Sequence, residues 1–326
     1  MKKSHAVRVA SLLVLATAAH VPAAVAQDFL PKKTVTLVVG FAAGGGTDTA
    51  ARIVAKKLSE NLGQTVVVDN KPGAGGNIAH GLVAKADPDG STILLGSIGP
   101  LSIAPHLMKL TYDPVKDLAP ISMGVSFPNV LVVYPALGVK TLQEYIALAK
   151  KKPGGLDYAS TGAGSASHLA GELFNQRAGV DIQHVPYKGG SPAMVDLLGE
   201  RVSAYYSTPS SAQPYIESGK LIALATTGLT RPEFMANVPT IAESGFPGFS
   251  ATNWYAFVAP GKTPVAVLDR WNQEIVKVLN MPDVREQLAK HGLTPAPGTR
   301  KELQDYIAAE SATWGKVIKE RNITAE

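Results

Sequence analysis

The 326-residue chain is 45% hydrophobic and 17% charged, with a formal net charge of +5 and no cysteine. The missing cysteine excludes disulfides and thiolate chemistry, so stability rests on core burial, and a chain of this length supports two lobes more readily than one. The basic residues form no concentrated face of the kind nucleic acid requires, and removing Lys2, Lys3 and Arg8 with the N-terminal segment leaves a charge of only +2.

Residues 1–26 read as a secretory signal peptide. Lys2, Lys3 and Arg8 form its positive end, Val9 to Ala19 its apolar core, and Ala24-Val25-Ala26 an A-x-A cleavage site. That core is shorter than the roughly 20 residues a membrane-spanning helix needs, and no later stretch is long and apolar enough. The mature chain is therefore expected to begin at Gln27, outside the cytoplasm, and not to span the membrane.

The mature chain opens with the apolar run Val35 to Val39, three consecutive glycines at Gly44-Gly45-Gly46, and a helical pattern carrying Ile53, Val54, Leu58 and Leu62 on one side, closed by Gly63. This is a strand, a loop bare of side chains, and a helix N-terminus whose unpaired N–H groups and partial positive charge receive anions without Lys or Arg. A second strand, Thr65 to Val68, meets the glycine loop Pro72 to Asn77 and a helix from Ile78. A third, Thr92 to Leu95, exits through Gly96-Ser97-Ile98-Gly99-Pro100. Three strand–loop–helix units in series predict an α/β fold with mainly parallel sheets, whose ligands bind beyond the strands' carboxyl ends.

The apolar passage Ile121 to Tyr134 reads as a strand crossing to a second lobe, where the rhythm restarts. There Thr161 to Ser165 and Tyr187 to Ser191 are further loops at helix starts. Trp254 to Val258 reads as the return crossing, and the terminal helices return to the first lobe. The predicted organisation is a hinged two-lobed clamshell, with lobe 1 formed by 27–124 and 255–326 and lobe 2 by 125–254.

Several chemistries fail on spacing. No glycine loop completes G-x-G-x-x-G/A, which excludes a dinucleotide site, and the five histidines beyond the signal show no metal-ligand spacing, so no cofactor is expected. Gly189-Gly190-Ser191-Pro192-Ala193 lacks the final glycine of a nucleophile elbow, and Pro192, suited to a first helical position, makes Ser191 an N-cap. A secreted serine-dependent α/β hydrolase using Ser165 or Ser191 is the alternative reading, and a ligand-sensing receptor for a membrane kinase is another. What recurs is a glycine- or serine-lined loop at a helix start, at 42–47, 72–77, 96–100, 161–165 and 187–191. Such loops hold a carboxylate through backbone N–H groups and small hydroxyls, and their lack of arginine favours a reversible grip over a phosphate clamp.

Gly40 to Asp48, Asp69 to Asn77, Ser165 to Leu169, Val185 to Gly189 and Pro239 to Gly245 resemble the Bug-type extracytoplasmic substrate-binding proteins of tripartite tricarboxylate transporters, over essentially the whole mature chain. The resemblance implies a type II periplasmic binding-protein clamshell that closes on small carboxylates, with a two-component inner-membrane permease as partner, although many members lack a linked one. It places Phe41, Ala42, Ala43, Gly44 and Gly45, with the loop of Gly75 and Asn77, on one ligand carboxylate, and Ser97 on the same wall. Thr161, Ser165 and His168 would hold the other end, with Tyr187 as a wall or donor. Asp48 matches the family motif, either touching ligand or stabilising its own helix start. Two positions depart from the pattern: Gly40 stands where the family often has proline, and Ser207 where many relatives carry aspartate. A serine there cannot pair with an ammonium, which points to a di- or aromatic carboxylate over an amino acid.

Overall fold

The alternation of side chains along the first strand builds two hydrophobic layers at once. The computed structural model describes residues 30–324, and the expected signal segment lies outside the described residues. In β1 (Val35–Val39), Val35, Leu37 and Val39 point into one buried cluster and Val38 into another, as the two-residue period of a strand requires. After β1 come α1 (Gly46–Leu62), β2 (Val66–Asn70), α2 (Asn77–Val83) and β3 (Thr92–Ser97). Gly63 closes α1 in the left-handed conformation, φ 63°, where glycine carries no Cβ penalty. A π-helical turn, Gly99–Ile103, follows β3.

The passage Ile121 to Tyr134 is two strands. The first, β4 (Leu118–Pro128), belongs to one sheet and the second, β5 (Val130–Val133), to the other, with Asn129 between them. The second lobe continues through α3 (Leu142–Lys151), β6 (Asp157–Ser160), α4 (Ala166–Ala178), β7 (Gln183–Pro186), α5 (Gly190–Leu198), β8 (Ala204–Ser207), α6 (Pro209–Glu217) and β9 (Ile222–Thr226). The chain returns on β10 (Thr252–Pro260) and ends with α7 (Val265–Leu279), α8 (Pro282–Lys290), the two-residue strand β11 (Thr294–Pro295) and α9 (Arg300–Arg321).

The first sheet has the order β11-β4-β10-β3-β1-β2 and the second β7-β6-β8-β5-β9. Each has a parallel core: β1 between β2 and β3, and β6 between β7 and β8. The strands nearest the crossings, β4, β5, β9 and β10, pair antiparallel. In the second sheet the alternation recurs, with Leu131, Val133 and Tyr206 on one face and Val130, Val132 and Tyr205 on the other. The C-terminal α9 packs on β4 and the π-helical turn, and Trp254 in β10 donates its indole N–H to Glu310 at 3.1 Å. The result is a two-lobed α/β clamshell that presents the carboxyl ends of both parallel cores to one interlobe seam. Among the described residues no helix is long and apolar enough to cross a membrane.

Candidate functional site

The loop between β1 and α1 is held from behind by Asp48, in the first turn of α1. Its Oδ2 accepts from the Gly44 N–H at 2.9 Å and from Arg52 Nε at 2.8 Å, and its Oδ1 accepts from Asn70 Nδ2 at 3.0 Å. The same Asn70 amide donates to the Phe41 carbonyl at 3.0 Å. Burial pushes the Asp48 carboxyl up, but the bonds from Arg52, Gly44 and Asn70 together outweigh it and hold it below its usual range. The N–H groups of Gly46 and Thr47, in the first turn of α1, have no intrahelical acceptor.

In the second lobe the corresponding surface is the start of α4. Ser165 caps the helix, its Oγ accepting from the His168 N–H at 3.3 Å. Ser167 Oγ accepts from the Thr161 N–H at 3.0 Å and lies 3.1 Å from Ser165 Oγ and 3.2 Å from Thr161 Oγ1. His168 sits behind this cluster. Its Nδ1 accepts from the Gly164 N–H at 3.2 Å, which places its proton on Nε2, a buried atom without a partner. The ring stacks on His184 with centroids 4.0 Å apart, and His184 Nε2 lies 2.6 Å from Ser160 Oγ.

The two lobes meet along these loops, backbone to backbone. Ala42 N–H donates to the Lys188 carbonyl at 3.2 Å, and Ser191 Oγ–H donates to the Ala43 carbonyl at 2.6 Å. Gly45 faces Gly190, Gly99 faces Gly164, and Gly75 lies against Gly162 and Ala163. Behind the seam lies a narrow cavity of about 20 Å³, room for about one water, lined by Phe41, Gly45, Gly46, Thr47, Ser97, Ile98, Asn129, Thr161, Ser165, Ala166, Ser167, Gly190, Tyr206, Thr208, Asn253 and Tyr255. None of these carries a charge. The first turns of α1, α4 and α5 and the N-cap of α6 (Thr208) all reach this cavity, so its field is the partial positive charge of helix ends, set among hydroxyls. A groove of about 830 Å³ lies elsewhere, between α9 and the 105–118 segment, with largely apolar lining such as Leu101, Met108, Leu110 and Ile307. Size favours that groove; the chemistry of an anion site favours the interlobe cavity.

The chain matches the model of the tripartite tricarboxylate transporter family receptor, TctC, over residues 50–323. It is 39% identical over 304 residues to the protein BugT of Bordetella pertussis (strain Tohama I), with 93% of each chain covered. The chain belongs to the TctC receptor family. Two solved structures are similar to it throughout. Rpa4515 of R. palustris, solved with adipate, has TM-score 0.87 and 36% identity, covering 90% of this chain and 99% of that one. MatC (Rpa3494) from Rhodopseudomonas palustris, solved with bound malate, has TM-score 0.85 and 32% identity, covering 89% and 100%. As a receptor of this family it is a solute-binding protein and not an enzyme. In the structure Ser165 Oγ meets the His168 backbone N–H and Ser167 Oγ, and Ser191 Oγ donates to the Ala43 carbonyl.

Of the residues singled out in the sequence, Phe41, Gly45, Ser97, Thr161 and Ser165 line the receptor's cavity. The others stand elsewhere. Ala42, Ala43 and Gly75 are seam residues, and Gly44 and Asp48 satisfy each other. Asn77 donates to the Ala74 carbonyl and accepts from the Tyr112 hydroxyl, both at 2.8 Å. His168 supports the Gly164 turn from behind, and Tyr187 donates to Asp196 at 2.8 Å on the far side of its loop. Ser207 is fully buried and donates to the Thr208 carbonyl at 3.0 Å; Thr208, the next residue, reaches the cavity instead. The inference against an ammonium drawn from Ser207 therefore has no geometric basis. Ser191 is not an N-cap either, because α5 begins at Gly190 and the hydroxyl crosses to the other lobe. Sequence reading missed Thr47, Ser167, Thr208 and the Asn129–Asn253 pair; a hydroxyl at each helix start is the signal that points to the first three.

The seam predicts a separation of two glycine effects. At Gly75, φ 62°, an added Cβ strikes the Ala163 carbonyl across the seam, whereas at Gly63, φ 63°, nothing lies within 4 Å. Both Gly→Ala changes carry a similar backbone cost, on the order of 1 kcal/mol. Gly75→Ala should hold the lobes apart in small-angle scattering, while Gly63→Ala should close like the parent; equal closure in both would contradict the contact.

The histidines predict acid lability. Burial pushes His168 down to about 3, with the neighbouring His184 adding to the shift, and burial alone pushes His184 down to about 4. Burial also takes His80 to about 4, against its bond to the Gly76 carbonyl. Unfolded, all three titrate near 6.5, so below that pH the unfolded chain takes up protons that the folded chain refuses. Their contribution is fully present above pH 6.5 and is lost as pH falls toward 4, at up to about 1.4 kcal/mol per pH unit for each histidine. Urea unfolding at pH 7, 6 and 5 should show this decline, shallower in His168→Asn; a flat profile would contradict it.

Proposed function

We propose that the protein is a periplasmic receptor that captures a small dicarboxylate, linear or aromatic, in the interlobe cavity and presents it to a two-component tripartite tricarboxylate permease. The observation that carries this reading is the convergence of helix starts from both lobes on one uncharged, hydroxyl-lined space. One carboxylate would rest on the first turn of α1 with Phe41, Gly45 and Ser97. The other would rest on Thr161, Ser165 and Ser167 at the start of α4. Each charge-assisted hydrogen bond contributes roughly 1.5–3 kcal/mol, so a few on each side give a firm but reversible grip without arginine. At about 20 Å³ the cavity is smaller than any dicarboxylate, so loading would require the lobes to part and reclose around the acid. The adipate of Rpa4515 and the malate of MatC support the substrate class, and the family supports the permease. The N-terminal signal pattern supports the compartment.

The test is a thermal-shift and calorimetric panel of linear dicarboxylates, tricarboxylates, aromatic acids and amino acids on residues 27–326. A binder at 100 times its Kd should stabilise the fold by ~2.7 kcal/mol, a shift of several degrees. A Thr161→Ala, Ser165→Ala double variant should weaken that binder by tenfold or more while remaining folded. Undiminished affinity in the double variant, or a panel without a binder on ligand-free protein, would contradict the reading.

A further inference from the structure

The chain passes between its sheets twice, and an asparagine stands beside each passage. Asn129 lies between β4 and β5, and Asn253 is the second residue of β10, the returning strand. Their side chains meet: Asn253 Nδ2–H donates to Asn129 Oδ1 at 3.2 Å. Both are buried, at 0% and 7% exposure, and both line the interlobe cavity. The Asn129 backbone is fully used, its N–H donating to Thr227 Oγ1 and its carbonyl accepting from the Thr227 N–H, each at 2.9 Å.

The side chains are not fully used. Asn129 Nδ2 and Asn253 Oδ1 are shut off from solvent and have no partner. One free amide atom is a donor and the other an acceptor. Exchanging oxygen and nitrogen in both amides changes nothing, because their shared bond always consumes one donor and one acceptor. The pair therefore presents one of each in either orientation.

A buried donor or acceptor left unmade is costly, so the group that belongs here is one that satisfies both. A carboxylate only accepts and would face the Asn253 oxygen unfavourably. An ammonium only donates, leaves the Asn129 N–H unmet, and finds no acidic side chain in the cavity lining to balance its charge. A hydroxyl donates and accepts through a single atom. We propose that Asn129 and Asn253 form a hydroxyl-recognition subsite in the floor of the cavity, so that the receptor selects hydroxylated acids over their deoxy and amino counterparts. This rests on the carboxylate reading above and sharpens its substrate class.

The experiment is calorimetry on wild type, Asn129→Ala and Asn253→Ala with succinate and malate, glutarate and 2-hydroxyglutarate, and aspartate. Wild type should bind the hydroxy acid of at least one pair about tenfold or more tighter than its deoxy partner, with aspartate weaker than malate. In either variant that preference should shrink to less than about threefold, with thermal unfolding showing the variant folded. Equal binding of hydroxy and deoxy acids by wild type overturns the subsite, the pair then holding a structural water, and leaves the carboxylate reading standing. Tighter binding of aspartate than malate, or a preference that persists in both variants, overturns it as well. Failure of all five acids to bind wild type overturns the subsite, and the carboxylate reading falls with it only if the longer, tricarboxylate and aromatic acids of the panel above fail too; the wild-type comparison decides even where a variant does not fold.

Discussion

Everything in the site depends on how closely two backbones can approach. The helix starts of α1 and α4 act on one small acid only if the lobes close with almost nothing between them. Glycines at 45, 75, 99, 162, 164 and 190 make that possible, set one against another across the seam. A single methyl group at Gly75 meets the Ala163 carbonyl. The seam is also where the lobes hydrogen-bond to each other, through Ala42 to Lys188 and Ser191 to Ala43. In the proposed reading closure and recognition fall to the same loops: the residues that let the lobes meet also determine how little room is left behind them.

The proposed grip uses no charged side chain from either lobe. In water the partial charge of a helix end is screened, but inside a closed cavity it acts at short range on a group stripped of solvent. Asp48 shows how this arrangement is protected. It is the acid nearest the α1 start, and its oxygens are turned backward onto Gly44, Arg52 and Asn70. It orders the loop without opposing an anion in front of it. His168 holds the Gly164 turn in the same manner, from behind and uncharged. Supporting groups lie in a rear layer; hydroxyls and backbone N–H groups face the cavity.

The fold was largely legible in the sequence because its signals are local. Apolar runs of strand length, glycine punctuation and the helical spacing of Ile53, Val54, Leu58 and Leu62 each state a strand, a loop or a helix without reference to distant residues. The site was only half legible, because a glycine required for close approach looks the same in sequence as a glycine that bares an N–H for a ligand. Gly45 and Gly75 illustrate the ambiguity: one lines the cavity and the other abuts the opposite lobe. Phase was a second difficulty. β8 ends at Ser207, so strand alternation no longer indicates which way Thr208 points. Asn129 and Asn253 are single polar residues 124 positions apart, with no local pattern; only the two crossings bring them together.

The most direct test of the central claim, that both lobes hold an acid by their helix starts, is a crystal structure of the protein grown with succinate or malate. The acid is expected between the first turn of α1 and the Thr161–Ser165–Ser167 cluster, with the lobes closed on it and Asp48 still turned away. An acid seated outside the interlobe cavity, for instance in the apolar groove beside α9, or one held by Lys or Arg side chains, would contradict the account.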